Sequence, residues 1–495
     1  MDQLPIVPNP VPEESAEYNQ IISDCFQELL DKVRACNPST DMMRIQTAFS
    51  YAEKAHRTQK RKDGSPYLTH VVAAAVITAE MGLDEDSIVS ALLHDVIEDT
   101  PSTHEDIQRL FGPTVADIVE GVTKLTRVQY TSKEEEQMEN LRKMLMAMAK
   151  DIRVILIKIA DRLHNMRTME YQTPEKQKQK SLETMEIYAP IAHRLGMQAI
   201  KWELEDLSLR YLDPVGYKTI TDAIEARRPI LEEFMTHREE EIRARMAEWG
   251  IDCTIYHRIK HTYSIYRKMY TQKLELREIF DICALRVIVD NVSECYNVLG
   301  QIHDMYKPVP GKFKDYISTP KPNGYQSLHT TVIGSEGIPF EVQIRTWDMH
   351  RVAEYGVAAH WKYKSDGQGA GSESKYEWIR RLLENQEGTD AEEFISSLKV
   401  DMFSDEVFVF TPGGDIRSLP AGATPIDFAY NIHSAVGNSM VGASVNGRIV
   451  TFDHVLQNGD IVDIIPPKAA RGPSRDRTTL CKSSSARTKI RQWSK

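Results

Sequence analysis

A change in the spacing of apolar residues near residue 251 constrains the fold of this chain more than any other feature. Before it, apolar residues recur at helical intervals, as at Ile45, Ala48 and Ala52, a spacing typical of amphipathic helices. After it, short segments such as Phe280–Val289 and Pro339–Ile344 have the composition of strands and alternate with helical stretches. The sequence therefore predicts an all-α part followed by a mixed α/β part.

The length of 495 residues exceeds what one hydrophobic core ordinarily organises, so several domains are expected. Near the C-terminus, short apolar runs such as Val407–Thr411 and Ile461–Ile465 alternate with turns and predict a small β-rich module. The predicted segments are an N-terminal extension (1–19), a helical module (20–200), a charged helical connector with a solvated face (201–250), an α/β domain (251–364), a linker with short helices (365–404), the β-rich module (405–466) and a basic tail (467–495).

The composition narrows the class of protein. The chain is 41% hydrophobic and 27% charged, and it has no apolar run near the roughly 20 residues that a membrane span requires. Its N-terminus does not resemble a signal peptide, and its six cysteines show no metal-binding or disulfide spacing, so a cytoplasmic protein without a membrane association is expected. A net charge of −11 argues against indiscriminate nucleic-acid binding, although the tail from Lys468 to Lys495 is basic.

Four residues of the helical module form a candidate metal site. The adjacent pair His94 and Asp95 follows an apolar helical run, with His70 upstream and Asp161 downstream beside further apolar runs. Two imidazoles and two carboxylates suit Mn²⁺, Fe²⁺ or Zn²⁺ better than Ca²⁺. An isolated His-Asp pair would more simply be a surface feature, but four such residues, each beside an apolar helical run, favour a metal site.

The neighbours of this set indicate the chemistry. A divalent ion can make hydroxide available near pH 7. Glu98, placed four residues after His94 on the predicted helix, could move a proton, with Asp99 beside it. A basic cluster that includes Arg61 and Lys62 precedes a turn and suggests a phosphate-rich substrate, although a solvated basic turn is the alternative. The helical module is therefore interpreted as a metal-dependent phosphohydrolase.

The α/β domain carries a second constellation. Cations with interleaved aromatic residues crowd Arg258–Lys268, and a second such run extends over Gly311–His329. Asp281 and Glu341 stand apart from these cations on strand-like segments. Two carboxylates on Mg²⁺ beside a basic nucleotide pocket would suit phosphoryl-type transfer. Solvated basic loops and ordinary strand acids are an equally weighted alternative from the spacing alone.

Both constellations, in this order, resemble those of the long RelA/SpoT homologues, the stringent-response alarmone enzymes. The resemblance covers about residues 20–495. The matching motifs are Pro66–His70, His94–Asp99, Asp161–Thr168, Lys260–Lys268, Gly324–His329 and Glu341–Arg345, and the 406–465 segment with Asn431–Ser434 resembles a TGS domain.

The resemblance implies a multidomain fold: an all-α HD-type hydrolase, a mixed α/β nucleotidyltransferase-like synthetase and a β-grasp-like TGS domain. It implies transfer of pyrophosphate from ATP to the 3′-OH of GDP or GTP, and hydrolysis of the product alarmone, (p)ppGpp, to GDP or GTP and pyrophosphate. The implied cofactors are Mn²⁺ in the hydrolase and Mg²⁺ in the synthetase. Implied partners of the full-length protein are uncharged tRNA and the ribosome.

The resemblance also implies roles for matching residues. In the hydrolase it assigns His70, His94, Asp95 and Asp161 to Mn²⁺, Glu98 and Asp99 to catalysis, and Arg61, Lys62, Asn165 and Thr168 to the guanosine substrate. In the synthetase it places Asp281 and Glu341 on Mg²⁺, with Glu341 as the base, Arg258, Lys260 and Lys268 near ATP, Tyr325 against guanine and Lys321 near the acceptor phosphates. Further substrate-binding candidates are His261, Ser264, Lys314, Asn323, His329, Gln343 and Arg345, and His433 is a candidate tRNA contact.

The chain departs from the family pattern at two positions. The chain has Lys312–Asp315 where bifunctional members commonly have Arg-x-Lys-Asp, and Ile259 where proline is usual; neither changes the charge pattern. The chain also stops where a C-terminal regulatory region would continue.

Two alternatives to a bifunctional enzyme remain. The first is an enzyme that is mainly a hydrolase and has only weak synthetase activity. The second is a tRNA- or ribosome-binding regulator with vestigial catalysis.

Overall fold

The computed structural model of the chain describes residues 16–38, 40–124, 146–147, 150–275, 279, 282–321, 323–334, 337–356, 406–457, 459–465 and 476–493. The chain divides into two compact units. The first comprises residues 1–126 and 151–369, and the second comprises residues 127–150 and 370–495. The helical module and the α/β domain both belong to the first unit.

The helical module is built from helices whose starts are capped by short polar side chains. Asp41 and Asp84 each accept a hydrogen bond from a backbone N–H in the first turn of the helix that follows, and Thr103 forms a capping box with Asp106. The helices are α1 (Ala16–Cys36), α2 (Met42–His56), α3 (Leu68–Glu80), α4 (Glu85–Leu92), α5 (Val96–Asp99), α6 (His104–Phe111), α7 (Pro113–Lys124), α8 (Arg153–Arg167), α9 (Pro174–Glu183) and α10 (Ala189–Arg194), with a 3₁₀ turn at Met169–Tyr171 and a π-helical turn at Thr184–Tyr188.

The core of this module lies around α3 and α8. Most residues of α3 are buried, including Val71 and Val72, and the helix packs against α1, α4 and α8. In α8 the run Val154–Ile159 is buried throughout. Because both helices are buried on nearly all sides, polar side chains that they carry must find partners inside the protein.

Two helices follow the module: α11 (Gln198–Leu212) and α12 (Pro214–Glu248). The sequence predicted a charged connector with a solvated face, and this is wrong for part of it. On α11, Glu205 is buried together with Leu204 and Leu209, because this helix packs against α8 on one side and against the α/β domain on the other. On α12, Arg238 is also buried.

The α/β domain is organised by a mixed sheet with strand order β1-β2-β6-β5-β3, and β4 pairs with β5. Strand β2 runs parallel to β6, and the other pairs are antiparallel. Apolar residues of β2, β5 and β6 form its core with α14. The elements are β1 (Thr254–Ile259), α13 (Thr262–Gln272), β2 (Cys283–Val289), α14 (Val292–Met305), β3 (Lys307–Pro308), β4 (Lys314–Asp315), β5 (Leu328–Ile333), β6 (Pro339–Thr346) and α15 (Trp347–Tyr355).

The second unit contains the β-rich module. Its strands are β7 (Glu406–Phe410), β8 (Ile416–Pro420), β9 (Gly442–Val445), β10 (Arg448–Val450) and β11 (Val462–Ile465), paired as β7-β8 and β10-β9-β11. Its helices are α16 (Pro425–Ile432), α17 (Ser434–Ser439), α18 (Arg477–Leu480) and α19 (Ser484–Trp493).

The helices at the C-terminal end of the chain pack on the β-rich module. Ala486 and Ile490 are buried in one cluster with Ile426. The carboxylate of Asp427 accepts hydrogen bonds from the backbone N–H groups at Lys482 and at the next residue. This part of the predicted basic tail therefore completes the core of the module.

The prediction of an all-α part followed by an α/β part and a small β-rich module is confirmed. Within the described part of the chain, no helix combines the length and the apolar character needed to cross a membrane.

Two candidate active sites

Four side chains from the helical module converge on one point. His70 lies on α3, His94 and Asp95 lie between α4 and α5, and Asp161 lies on α8. His94 Nε2 is 3.1 Å from Asp95 Oδ2, and His70 Nε2 is 3.3 Å from Asp161 Oδ1. The cross distances, from His70 to Asp95 and from His94 to Asp161, are 3.7 and 4.0 Å. All four residues are buried.

The residues around His94 form a turn, which differs from the prediction of one helix that carries His94, Asp95 and Glu98. Helix α4 ends at Leu92, and α5 begins at Val96. Adjacent residues of an α-helix point about 100° apart, whereas the turn allows His94 and Asp95 to face the same point. The argument that Glu98 shares a helical face with His94 is therefore wrong; Glu98 lies half-buried on α5, just after the turn.

Hydrogen bonds on the far side of both imidazoles direct Nε2 toward the carboxylates. His94 Nδ1 lies 2.8 Å from the carbonyl oxygen of Ala91, to which it donates. His70 Nδ1 lies 2.8 Å from Nδ1 of His164. Contacts of this kind fix the tautomer and the ring orientation of histidines that bind metals.

The carboxylates are held in a similar way by residues that the sequence analysis did not identify. Tyr67 donates a hydrogen bond of 2.7 Å to Asp95 Oδ2, and Lys158 donates one of 2.6 Å to Asp161 Oδ2. Asn165, predicted only as a substrate contact, also donates to Asp161. Lys158 and Asn165 lie three residues before and four after Asp161 on α8, so helical periodicity alone could have identified both.

The electrostatics of the site favour a cation. Burial by itself would lower the pKa of His94, but the carboxylates of Asp95 and Asp161 outweigh it and raise the pKa to about 9. Burial would raise the pKa of Asp161, but Lys158 and the imidazole of His70 hold it well below its ordinary value. The two carboxylates therefore remain ionised in a buried place.

A divalent ion fits this geometry. Ligands about 2.1 Å from a shared ion lie roughly 3–3.5 Å from one another, and the two shortest separations, 3.1 and 3.3 Å, fall in this range. The ligand atoms of His70, His94 and Asp161 all lie within 4.8 Å of one another. Together with Asp95 they provide a mixed nitrogen and oxygen set that could hold a divalent metal.

A basic loop lies beside these ligands. Arg61 donates hydrogen bonds of 2.8 Å to the hydroxyl of Thr168 and 3.4 Å to Oδ1 of Asn165, so the structure brings together three residues predicted to contact the substrate. Lys62 is exposed in the turn that follows, and Asp99 is exposed at the end of α5. The site thus has a cationic edge open to an anionic ligand.

In the α/β domain, a chain of hydrogen bonds ends at Glu341. Tyr325 donates through its hydroxyl to His329 Nε2, at 2.7 Å, and His329 Nδ1 lies 2.8 Å from Glu341 Oε1. Gln343 donates to the same oxygen at 3.1 Å. Burial alone would raise the pKa of Glu341, but these donors outweigh it and lower the pKa to about 2. Burial lowers the pKa of His329, so a neutral imidazole carries this chain.

A cluster of arginines lies on the same sheet. Arg345 is 1% exposed and contacts Nδ1 of His350 at 2.8 Å and Glu354 Oε1 at 3.1 Å. Arg286, which the sequence analysis missed, pairs with the same carboxylate at 2.9 Å, and burial with the neighbouring charge of Arg345 lowers its pKa to about 10. Arg345, predicted as a substrate contact, is therefore buried and paired with Glu354, and its positive charge, which repels those of Arg286 and Arg258, adds to burial in lowering their pKa.

The loop after β4 carries Lys321, which the resemblance predicts to lie near the acceptor phosphates. Lys321 Nζ lies 4.7 Å from the ring centroid of Tyr316 and 5.6 Å from that of Tyr325. The side chain of Asn323 makes hydrogen bonds within the protein. Its amide nitrogen donates to the carbonyl of His193 at 3.3 Å, and its oxygen accepts from the backbone N–H of Tyr325. This loop is therefore tied to the end of α10.

The basic segment Arg258–Lys268, which runs from the end of β1 into α13, forms the other edge of the site. Lys260 donates its backbone N–H to the carbonyl of Ile282, the residue before β2. His261 Nε2 lies 2.7 Å from the hydroxyl of Ser264. Lys268 is half-buried on α13, so the candidates predicted in this segment occur on one continuous strand-to-helix connection.

Three other predicted residues fall elsewhere. Lys314 is exposed on β4 and lies opposite His329 in the strand register. Asp281 lies outside the described residues. In the second unit, His433 is exposed and accepts a hydrogen bond from the backbone N–H of Ala435, so its Nδ1 caps α17.

Comparison with known families matches three parts of the chain. Residues 48–198 match the HD domain, residues 257–368 match the region found in RelA / SpoT proteins, and residues 407–466 match the TGS domain. Their order along the chain is the order of the helical module, the α/β domain and the β-rich module.

Curated relatives match nearly the whole chain. The GTP pyrophosphokinase of Streptomyces coelicolor is 48% identical over 498 residues, which cover 96% of this chain and 58% of the relative. The probable guanosine-3′,5′-bis(diphosphate) 3′-pyrophosphohydrolase of Synechocystis is 47% identical over 97% of this chain and 64% of its own length. The bifunctional (p)ppGpp synthase/hydrolase SpoT of Escherichia coli K12 is 48% identical over 94% of this chain and 67% of its own length. The chain thus spans roughly three fifths to two thirds of these relatives, and it belongs to the RelA/SpoT family.

Proposed function

We propose that the chain is a bifunctional alarmone enzyme that makes (p)ppGpp from ATP and GDP or GTP, and hydrolyses it to GDP or GTP and pyrophosphate. One observation carries the proposal: the first unit holds two separate sets of charged residues, one around His94 and Asp161 and the other around Glu341. ATP and guanine nucleotides as substrates imply a cytoplasmic enzyme.

In the hydrolase, His70, His94, Asp95 and Asp161 would hold Mn²⁺. A bound divalent ion supplies a water of lowered pKa, near 7, for attack on phosphorus. Arg61 orients the anionic substrate from the basic edge of the site. Glu98 and Asp99 follow the ligand turn on α5, where a carboxylate can carry a proton to or from the reacting water and the leaving pyrophosphate.

In the synthetase, Asp281 and Glu341 would hold Mg²⁺, which neutralises charge on the transferred group. The reaction forms a bond between the 3′-oxygen of the acceptor and the β-phosphorus of ATP, breaks the bond between that phosphorus and the bridging oxygen to the α-phosphate, and releases AMP. Lys260 and Lys268 bind the donor phosphates, and Lys321 binds those of the acceptor. Because its pKa is about 2, Glu341 is a weak base in this state, so it suits metal binding and accepts the hydroxyl proton only as transfer proceeds.

We further propose that the second unit binds macromolecular partners. Its TGS domain exposes His433 at the start of α17. We place uncharged tRNA and the ribosome at this unit, so that the catalytic sites and the binding surface belong to different parts of one chain.

Two assays test the proposal on the purified chain. With ATP, GDP and Mg²⁺, the expected products are ppGpp and AMP in equal amounts; with ppGpp and Mn²⁺, they are GDP and pyrophosphate. Hydrolysis without synthesis would favour the alternative in which the enzyme is mainly a hydrolase. Absence of both reactions, with tRNA bound, would favour a regulator with vestigial catalysis.

A further inference from the structure

Helix α11 lies between the two candidate sites and carries side chains that reach the synthetase. It follows the last helix of the hydrolase module and packs against α13 and α15 of the α/β domain. Three side chains on α11, those of Trp202, Glu205 and Asp206, contact the basic segment Arg258–Lys268. That segment holds Arg258, Lys260, Ser264 and Lys268.

The first contact is a helix cap supplied from another helix. Asp206 Oδ1 accepts a hydrogen bond of 2.7 Å from the backbone N–H of Tyr263, and Oδ2 accepts one of 3.2 Å from that of Thr262. The residue in the N-cap position of α13, His261, makes no such side-chain bond to the first turn. The first N–H groups of a helix have no partner within it, so Asp206 provides what the local sequence does not.

The second contact is aromatic. The guanidinium carbon of Arg258 lies 4.0 Å from the ring centroid of Trp202, well within the range of a cation–π interaction. The ring of His261 lies on the same indole, with centroids 5.1 Å apart and planes tilted by 32°. Trp202 therefore covers one face of the guanidinium and restricts where the opposite face can point.

We propose that Asp206 and Trp202 are positioning residues of the synthetase, contributed by the helix that leaves the hydrolase module. Asp206 fixes the start of α13, and with it Ser264 and Lys268; Trp202 fixes Arg258. Neither residue is placed against substrate, so each acts through the cations that bind ATP. The inference rests on the proposed function, because it takes the basic segment to be the ATP side of the synthetase.

The Asp206 test compares two substitutions. Asp206→Ala removes both acceptors, and loss of a capping side chain typically shifts an equilibrium by about 2- to 30-fold; we expect KM for ATP to rise by about 5- to 10-fold. Asp206→Asn keeps one oxygen acceptor, for the shorter bond from Tyr263, but turns a donor toward the N–H of Thr262, so its KM for ATP should lie between those of wild type and Asp206→Ala. In both variants KM for GDP and the rate of ppGpp hydrolysis should be unchanged, which a general loss of folding would not allow.

Trp202 has its own pair of variants and a shared control. Trp202→Leu should raise KM for ATP, and Trp202→Phe, which retains an aromatic face, should restore most of the affinity. Arg210→Ala on the same helix is the control, because Arg210 is exposed and its guanidinium lies over the ring of the adjacent Tyr211. This control should match wild type in both reactions.

Calorimetric binding of a non-transferable ATP analogue distinguishes a failure of the proposed synthesis from a failure of the positioning role. If wild type binds the analogue but makes no alarmone, the proposed synthesis fails, and weaker binding by Asp206→Ala still supports the positioning role. If wild type makes alarmone and Asp206→Ala matches it in KM for ATP, the positioning role is overturned and the synthesis stands. Equal losses for ATP, GDP and hydrolysis in Asp206→Ala would also overturn it.

Discussion

At the scale of single residues, the two sites keep buried carboxylates ionised by different means. Asp161 is compensated by Lys158 and by the neighbouring imidazoles, a set that a metal ion would complete. Glu341 is compensated by hydrogen bonds from His329 and Gln343 and by the charge of Lys260. In both arrangements, specific partners offset the free-energy cost of burying a charge. The loss of one carboxylate should therefore affect only its own reaction.

The first prediction concerns the metal. Asp95→Ala removes a charged oxygen 3.1 Å from His94 Nε2, so the protein should bind less than one tenth of the Mn²⁺ of wild type and lose ppGpp hydrolysis, while synthesis continues. Asp24→Ala, an exposed aspartate on α1, is the control. Metal content after dialysis and both initial rates are the measurements. Undiminished hydrolysis by a metal-loaded Asp95→Ala protein would contradict the ligand assignment.

The second prediction concerns Glu341. Glu341→Gln preserves the shape of the side chain but removes its charge, so synthesis should fall by about 100-fold or more, within the range of a typical general acid–base contribution. Hydrolysis should persist, because the other site has its own carboxylates. Glu248→Gln, 68% exposed at the end of α12, controls for the change of charge. The rates of AMP release and of pyrophosphate release measure the two reactions; a parallel fall in both would argue for a structural role.

The third prediction uses pH. Burial and the nearby Lys201 and Lys321 lower the pKa of His193 to about 4, below its ordinary value of 6.5. The unfolded chain therefore binds a proton that the folded chain excludes, and the stability from this group is present above pH 6.5 and is lost as pH falls toward 4. His193→Asn should flatten the fall of the thermal midpoint between these limits. An identical pH profile in the variant would remove His193 as a cause.

At the scale of elements, the periodicity of apolar residues predicted helices such as α3 and α8 and strands such as β2, because local spacing reflects burial on one or more faces. The residues that local spacing missed are those whose partners are distant in sequence. Arg286 meets Glu354 across the sheet, and Trp202 meets Arg258 across a domain boundary. The same helical periodicity could have identified Lys158, because it lies about one helical turn from Asp161.

The junction of α10 with α15 gives a prediction about an element. Gly356 has φ of 58°, and a Cβ atom there would lie 1.9 Å from the carbonyl oxygen of Leu195. Gly356→Ala should lower the free energy of unfolding by more than about 1 kcal/mol, because neither backbone can yield. Gly300→Ala is the matched control: it lies in α14 with no atom within 4 Å of the added methyl group and should be neutral or stabilising. Thermal midpoints decide between these outcomes.

At the scale of the whole molecule, a synthetase and a hydrolase that ran together would only consume ATP, so some coupling between the two sites of the first unit is expected. Helix α11 is placed to provide it. On one side it packs against α8, which carries Asp161, and Glu203 on α11 pairs with Arg167 on α8 at 2.6 Å. On the other side it caps α13 through Asp206. A rigid shift of this one helix would therefore disturb both sites.

The final prediction is that ligands of the two sites oppose one another. If the hydrolase-competent position of α11 withdraws Asp206 or Trp202 from the basic segment, a non-hydrolysable alarmone bound at the hydrolase should weaken ATP binding, by about 5- to 150-fold for a typical coupling. Coupling free energies are reciprocal, so ATP should weaken alarmone binding by the same factor. Calorimetric titrations of each ligand with and without the other measure both factors. Weakening that keeps growing with the concentration of the second ligand would point to competition at a shared site, and two unchanged affinities would mean that α11 joins the sites without linking them. In Asp206→Ala the factor should shrink toward 1, because the hydrogen bonds from Asp206 to the start of α13 are the proposed connection.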